Sequence, residues 1–208
     1  VSFSIPCRSM VAFCGSTGSG KSTIVDLVLG LFLPQNGRIL IDGQPLTEVK
    51  IPDWRRNVGY VPQHIFLSDT TIAENIAFGI PAAHIDREAV VEAARAAQIH
   101  DFVEKELPEG YDTVVGERGV RLSGGQRQRL GIARALYHDP DVLIFDEATS
   151  ALDERTETRV MEAIYHAARA KTVILIAHRL KTVEECDRIF VVEQGHVVEQ
   201  GLYRQLLE

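Results

Sequence analysis

The segment at residues 15–23 constrains this chain more than any other stretch of its sequence. It is rich in glycine and serine, contains Lys21, and lies between apolar runs at 10–13 and 24–29 that predict a strand and a helix. A glycine-rich turn in this context is typical of a phosphate-binding loop, because its N–H groups can face an anion and the helix N-terminus adds positive charge. A flexible turn would need neither the lysine nor the flanking elements. The segment, called the phosphate loop below, therefore predicts a nucleoside triphosphate site.

Each residue of the phosphate loop is expected to contribute to that site. Lys21 can reach the β- and γ-phosphates and assist catalysis, and the Ser22 hydroxyl is placed to ligate Mg²⁺. The residues predicted to contact the nucleotide are Gly15, Ser16, Thr17, Gly18, Ser19, Gly20, Lys21, Ser22 and Thr23.

Two carboxylates follow an apolar run later in the chain. Residues 142–145 read Val-Leu-Ile-Phe and are followed by Asp146 and Glu147. A strand that runs into a polar turn would have the same pattern. Beside a phosphate loop, the pattern predicts that Asp146 holds Mg²⁺ and that Glu147 orients and deprotonates the attacking water.

A helix is predicted to begin at residues 122–126, Leu-Ser-Gly-Gly-Gln. Ser123 and Gln126 have the spacing of a capping box, which would explain the segment as a simple helix start. Gly124 and Gly125 in the first turn each cost about 0.5–1 kcal/mol relative to alanine, which favours a site where a ligand approaches the backbone. The segment therefore predicts a second anion site, formed by Ser123, Gly124, Gly125 and Gln126, for a nucleotide held by a partner molecule.

The order of predicted elements indicates an α/β fold with a mostly parallel sheet. Strands are predicted at 3–5, 10–13, 38–41, 58–63, 142–145, 172–177, 188–193 and 196–199, and helices at 21–31, 71–106, 123–138, 154–170 and 202–207. We expect one domain over residues 1–208, with a core at about 1–66 and 139–208 and an inserted helical subdomain at about 67–138. Ligands of such sheets bind at the carboxyl ends of strands, where Gln63, Asp146 and His178 are expected.

Composition excludes several classes of protein. The net charge of -7 argues against a nucleic-acid-binding face, so no nucleic acid partner is expected. No apolar run approaches the roughly 20 residues that span a bilayer, and the first residues do not predict a signal peptide. Three cysteines without metal-ligand spacing indicate a reducing, cytosolic compartment. Cys14 is expected to pack as a small apolar residue, with a redox role as the alternative.

These motifs together resemble the nucleotide-binding domain of ATP-binding cassette (ABC) transporters over essentially the whole chain. Residues 122–126 resemble the ABC signature, Gln63 the Q-loop glutamine, 150–153 the D-loop and His178 the switch histidine. The resemblance implies a P-loop NTPase core of the RecA-like type with a small antiparallel β part. It also implies ATP and Mg²⁺ as cofactors and a head-to-tail dimer of two such domains. Gln63 would contact the metal ion and the water, and His178 would bond the γ-phosphate and hold Glu147.

Residues 66–76 and 113–119 resemble segments of exporter-type domains, the latter touching the transmembrane partner; surface loops are the alternative. An exporter that moves lipids, polysaccharide precursors or lipid-linked oligosaccharides is implied, with this domain at the cytoplasmic face of the membrane. Two rivals remain: a soluble ABC ATPase acting on DNA or ribosomes, and a cassette that binds ATP as a dimerisation switch without turnover.

The sequence also departs from the family pattern. Family members begin about twenty residues earlier, with a strand whose aromatic residue stacks on adenine. Without that stacking, which is worth about 1–3 kcal/mol, we expect ATP binding to be weaker by roughly ten- to a hundredfold. The turn at 7–9, Cys-Arg-Ser, lacks the usual glycine.

Overall fold

The structure is a computed structural model that describes residues 1–116, 120–149, 152–168, 170–177 and 183–206. The strands are β1 (Met10–Cys14), β2 (Leu40–Ile41), β3 (Gln44–Pro45), β4 (Val58–Val61), β5 (Val142–Asp146), β6 (Thr172–Ile176), β7 (Arg188–Glu193) and β8 (His196–Gly201). The helices are α1 (Lys21–Val28), α2 (Ile51–Arg56), α3 (Ile72–Ile76), α4 (Arg87–Ala96), α5 (His100–Glu106), α6 (Gly124–Leu136) and α7 (Glu154–Ala168). Short 3₁₀ turns lie at Glu48–Lys50, Ala82–His84, Gly110–Asp112 and Tyr203–Leu206.

Among the described residues, six strands form one sheet in the order β4-β5-β6-β1-β7-β8. Strand β5 pairs with β6, β6 with β1 and β1 with β7, all in parallel, whereas β8 is antiparallel to β7. A separate antiparallel hairpin pairs β2 with β3. The predicted α/β fold with a mostly parallel sheet and a small antiparallel part is confirmed.

The residues of the chain group into two compact units. The first comprises Val1–Gly59, Pro140–Asp146 and Ala168–Glu208, and the second comprises Tyr60–Asp139 and Glu147–Ala167. The predicted subdomain boundaries near 66 and 138 stay a prediction. Within the described ranges, no helix is both long and apolar enough to span a bilayer.

The first unit is built on β1, whose side chains are buried from Met10 to Phe13. Such an uninterrupted apolar strand is typical of a parallel sheet covered on both faces. The Phe13 ring packs on Phe190 of β7, with 5.1 Å between ring centroids. Strand β1 is therefore held firmly where it leads into the phosphate loop.

The strand predicted at residues 3–5 is wrong, because these residues form no strand in the structure. The Phe3 ring instead contacts the rings of Phe13 and Phe190, at centroid distances of 5.1 and 5.3 Å. The alternation of apolar residues at 3 and 5 thus comes from side-chain packing and not from pairing in a sheet.

The second unit is mainly helical, with α3 and α4 packed on α6. Its fully buried side chains include Ile72, Ile76, Leu130 and Ile132. The helical stretch predicted at 71–106 is divided into three helices. The division follows local chemistry: Thr71 caps α3 in a capping box, and the Asp86 side chain accepts hydrogen bonds from the N–H groups that begin α4.

Candidate nucleotide-binding site

The phosphate loop turns sharply between β1 and α1. Gly15, Gly18 and Gly20 all have positive φ angles, of 151°, 80° and 106°. At Gly15 a side chain is also excluded by space, because a Cβ atom there would collide with the carbonyl oxygen of Val192 in β7. Glycine is therefore required at this position both for the backbone conformation and for the close approach of β7.

Lys21, the first residue of α1, lies folded over this loop. Its Nζ donates hydrogen bonds to the carbonyl oxygens of Gly15 and Ser16, each at 2.9 Å, and to Ser19 Oγ at 3.4 Å. Only 6% of the Lys21 surface is exposed. Among the described residues, this nearly buried ammonium group is bonded by neutral oxygens, so it is well suited to attract an anion to the loop.

Most of the remaining loop residues are exposed, although Ser19 is buried. Ser16, Thr17 and Gly18 are exposed at the turn, and Ser22 and Thr23 are exposed on the first turn of α1. The first N–H groups of a helix have no partner within the helix, so this exposed turn can offer both hydroxyl and N–H groups to phosphate oxygens.

Asp146 ends β5 inside the first unit. In the sheet register both Phe13 of β1 and Asp146 of β5 are level with Ile176 of β6. Strands spaced by about 4.8 Å put these two positions about 10 Å apart. Asp146 and the phosphate loop are thus at the same edge of the sheet, where carboxylate and hydroxyl oxygens suit Mg²⁺. Within the described ranges, no group of three or more His, Cys, Asp or Glu forms a protein-only metal cage.

Glu147, the next residue, belongs to the second unit together with Gln63. Gln63 Nε2 donates a hydrogen bond of 2.9 Å to Glu147 Oε2. The backbone of Glu147 has a φ of +50°, in the left-handed region that glutamate rarely adopts. Strain of this kind often occurs at functional sites, and the predicted role of Glu147 as a reacting group stays a prediction.

Ser123 is the N-cap of α6 in a complete capping box. Gln126 N–H donates to Ser123 Oγ at 3.2 Å, and Ser123 N–H donates to Gln126 Oε1 at 2.7 Å. The capping box predicted for this helix start is therefore present in the structure. The N–H groups of Gly124 and Gly125 have no acceptor within the helix, as expected for its first turn. The second anion site at these groups stays a prediction.

Arg129 supports this helix start and was missed by sequence reasoning. Its Nη1 donates to the carbonyl oxygen of Gln98 at 2.6 Å and its Nε to that of Gly125 at 3.4 Å. Burial lowers the pKa of Arg129, an effect that Asp153 and Glu106 oppose. A possible signal was the position of Arg129 on the turn after Gln126, but the partner Gln98 is distant in sequence.

Three predicted elements are only partly described. His178 lies outside the described residues, as do the first two residues of the segment 150–153 and residues 117–119. In the described part of 150–153, Asp153 Oδ1 accepts a hydrogen bond from Thr156 N–H at 3.0 Å, and bonds to Thr156 lower the pKa of Asp153.

Comparison with known proteins extends these observations. Residues 1–150 match the family described as ABC transporter. The chain is 48% identical over 207 residues to the ATP-dependent lipid A-core flippase of Chromohalobacter salexigens, covering all of this chain and 35% of that protein. It is 48% identical over 209 residues to the toxin RTX-III translocation ATP-binding protein of Actinobacillus pleuropneumoniae, covering all of this chain and 29% of that protein.

A solved structure of a bacterial Atm1-family ABC exporter with ATP bound has the same fold, with a TM-score of 0.92 and 46% identity. The match covers 100% of this chain and 36% of that one. The chain thus spans about a third of the length of each of these three proteins. Because the family match covers well over half of the residues and the fold agrees throughout, the chain belongs to the ABC transporter family.

Proposed function

We propose that this chain is the ATP-binding and ATP-hydrolysing subunit of a membrane exporter. The observation that carries the proposal is the geometry of the phosphate loop, with its three left-handed glycines and the nearly buried Lys21. A loop of this kind binds the phosphates of a nucleotide through backbone N–H groups and one lysine. The Atm1-family structure with ATP bound supports ATP as that nucleotide.

Hydrolysis would depend on residues of the phosphate loop and on residues at or just after the ends of β4 and β5. Lys21 would bind the β- and γ-phosphates, and the oxygens of Ser22, Asp146 and Gln63 would hold Mg²⁺. The metal ion, when bound, would neutralise charge that develops on the phosphate oxygens. Glu147 would take a proton from the attacking water, with its carboxylate oriented by the hydrogen bond from Gln63. His178 is assigned to the γ-phosphate by resemblance.

Two copies of the chain would close head to tail on two nucleotides. In this arrangement the start of α6, with Ser123, Gly124, Gly125 and Gln126, would bind the nucleotide held by the phosphate loop of the other copy. The capping box and Arg129 support this role, because together they fix a helix N-terminus that presents backbone N–H groups to an anion.

The transmembrane partner would contact the second unit. Val114 is 42% exposed and lies in the segment that resembles the partner-facing part of exporter domains. Phe66 is 70% exposed and lies in the segment that resembles the stretch after the exporter Q-loop. For the substrate we propose a lipid, a glycolipid or a similar amphipathic molecule. Two of the relatives are described as lipid A-core flippases, although others are described as toxin translocators.

The first experiment is light scattering of the Glu147→Gln variant with and without millimolar ATP. A shift from monomer to dimer only with ATP is expected, because the variant should bind nucleotide but hydrolyse it slowly. Lys21→Ala in the same background is the control and should stay monomeric. Failure to bind ATP at all would contradict the proposed function, whereas ATP binding without dimerisation would contradict the two-site arrangement in this chain.

A further inference from the structure

The carboxyl end of α1, the helix that follows the phosphate loop, is closed by two sets of hydrogen bonds. The first set is local. Gly30, with a φ of +67°, and Leu31 donate their N–H groups to the carbonyl oxygens of Leu27 and Asp26, at 3.0 and 2.8 Å. These two bonds form a Schellman motif. The carbonyl groups that the motif leaves over at the end of the helix belong to Val28, Leu29 and Gly30.

Side chains of α2 bind these three carbonyl groups in succession. Trp54 Nε1 donates to the Val28 oxygen at 2.6 Å. Arg55 donates from Nε to the Leu29 oxygen at 3.0 Å and from Nη2 to the Gly30 oxygen at 2.7 Å. Every carbonyl that the helix leaves unpaired at this end thus receives a donor, and three of these donors come from two neighbouring side chains.

Packing adds to this contact. A Cβ atom on Gly30 would lie 3.2 Å from Ile51 Cγ1, so the first residue of α2 contacts the backbone at the end of α1. The two helices are therefore joined by an apolar contact as well as by three hydrogen bonds.

Charge supports the same arrangement. Helix α1 carries no basic residue in its own last turn, and Lys21 lies at its first position, where a cation is unfavourable to the helix dipole. The Arg55 guanidinium supplies a positive charge at the negative end of the helix. A helix of eight residues is only about 12 Å long, so a fixed carboxyl end also fixes the end that carries Lys21.

We propose that Trp54 and Arg55 are positioning residues for the phosphate loop. They hold α1 from its far end so that the N–H groups and Lys21 at its near end keep a constant position before nucleotide binds. The part of this inference that concerns nucleotide affinity rests on the proposed function, whereas the part that concerns the order of the loop does not.

The test is hydrogen exchange of the amides at residues 16–24 without nucleotide, together with ATP affinity by calorimetry. The variants are Arg55→Ala, Trp54→Phe, which keeps an aromatic ring but loses the donor, and Arg55→Lys, which keeps the charge but not the fork of two donors. Arg56→Ala is the matched control, because Arg56 is the next residue on the same helix and forms an exposed ion pair with Asp53.

We expect these amides to exchange roughly tenfold faster in Arg55→Ala and in Trp54→Phe, and the Kd for ATP to rise by roughly three- to tenfold. Arg55→Ala removes two of the three hydrogen bonds to the end of α1, and Trp54→Phe removes the third. Arg55→Lys should show smaller increases in exchange rate and in Kd than Arg55→Ala. Arg56→Ala should leave the exchange rate and the Kd unchanged.

Variants that melt at lower temperature but show wild-type exchange and wild-type affinity would overturn the proposal, since Trp54 and Arg55 would then support only the overall fold. If Arg55→Ala does not fold, the comparison of Arg55→Lys and Trp54→Phe with the control decides the question. Should the wild-type chain fail to bind ATP, the proposed function falls, but the exchange rates still test whether α2 orders the loop.

Discussion

Gln63 and Glu147 are 84 residues apart in sequence and are joined by a 2.9 Å hydrogen bond from the amide Nε2 to the carboxylate Oε2. An amide that donates to one oxygen fixes the rotation of the whole carboxylate. The left-handed backbone of Glu147, with φ at +50°, further limits where the side chain can point. Glu147 is thus oriented by a residue of the segment that resembles the Q-loop. The carboxylate of the proposed base therefore has a defined orientation before it meets the attacking water.

Replacing Glu147 with glutamine keeps its size but removes the proton acceptor. We expect kcat for ATP hydrolysis to fall by about 10²–10⁴-fold, with ATP affinity within about twofold of wild type. Gln63→Ala keeps the base but removes its orienting bond, so we expect a smaller fall in kcat, of about tenfold. Both are measured by phosphate release.

The control for this pair is Gln44→Ala, which removes an exposed glutamine from the β2–β3 hairpin. It should hydrolyse ATP at the wild-type rate. Near-full turnover of Glu147→Gln would exclude Glu147 as the base, and wild-type turnover of Gln63→Ala would show that the observed bond does not orient it.

Gly15→Ala should destabilise the chain through two effects. The added Cβ would meet the Val192 carbonyl oxygen and lie 2.9 Å from Ser19 Oγ, and φ at this position is +151°. We expect the free energy of unfolding to fall by about 2 kcal/mol or more, measured by urea denaturation. Gly37→Ala is the control: its φ is +86° but nothing lies within 4 Å of the added atom, so only backbone strain of about 1 kcal/mol is expected. Equal losses in the two variants would contradict the role of the Val192 contact.

The three cysteines should react with a thiol reagent at different rates, because they differ in burial. Cys7 is exposed, whereas burial raises the pKa of Cys14, partly offset by Lys21, and raises the pKa of Cys186 to about 12. Only the thiolate reacts, so at pH 8 about one Cys186 side chain in ten thousand is reactive. We expect one fast thiol at pH 8 and two slow ones, whose rates rise with pH because deprotonation becomes more favourable.

The fast phase should disappear in Cys7→Ser, and all three thiols should react at once in denaturant. Rapid labelling of Cys14 in the folded chain at pH 8 would contradict its burial and would favour the redox role that its place before the phosphate loop left open.

Local motifs predicted more of this molecule than apolar patterns did. The backbone of residues 15–23 depends on glycines and flanking elements that are all close in sequence, so its conformation could be predicted. The alternation at 3–5 reports only that Phe3 is partly buried, and burial against Phe13 and Phe190 produces the same pattern as a strand. Apolar periodicity shows which side chains avoid water, but not which backbone groups are paired.

The contacts that fix the site were beyond prediction for a related reason. The bonds of Glu147 to Gln63 and of Arg129 to Gln98 join residues that are 84 and 31 positions apart. Side-chain donors of this kind find their partners through the path of the chain, which no single stretch of sequence encodes. The same holds for Trp54, which reaches a carbonyl group 26 residues away.

Two capping boxes among the described residues offer a matched test of the second anion site. Thr71 with Glu74 begins α3, and Ser123 with Gln126 begins α6, with the same pattern of reciprocal bonds. Removing either cap by mutation to alanine should lower the free energy of unfolding by about 1 kcal/mol, because one N–H group of the first turn loses its acceptor. Only Ser123→Ala should also weaken dimerisation with ATP, since only that helix is proposed to bind the partner's nucleotide. The measurement is ATP-dependent dimerisation in the Glu147→Gln background beside urea denaturation of each variant. Equal dimerisation by Ser123→Ala and Thr71→Ala, at equal losses of stability, would leave the Ser123 side chain with a capping role alone.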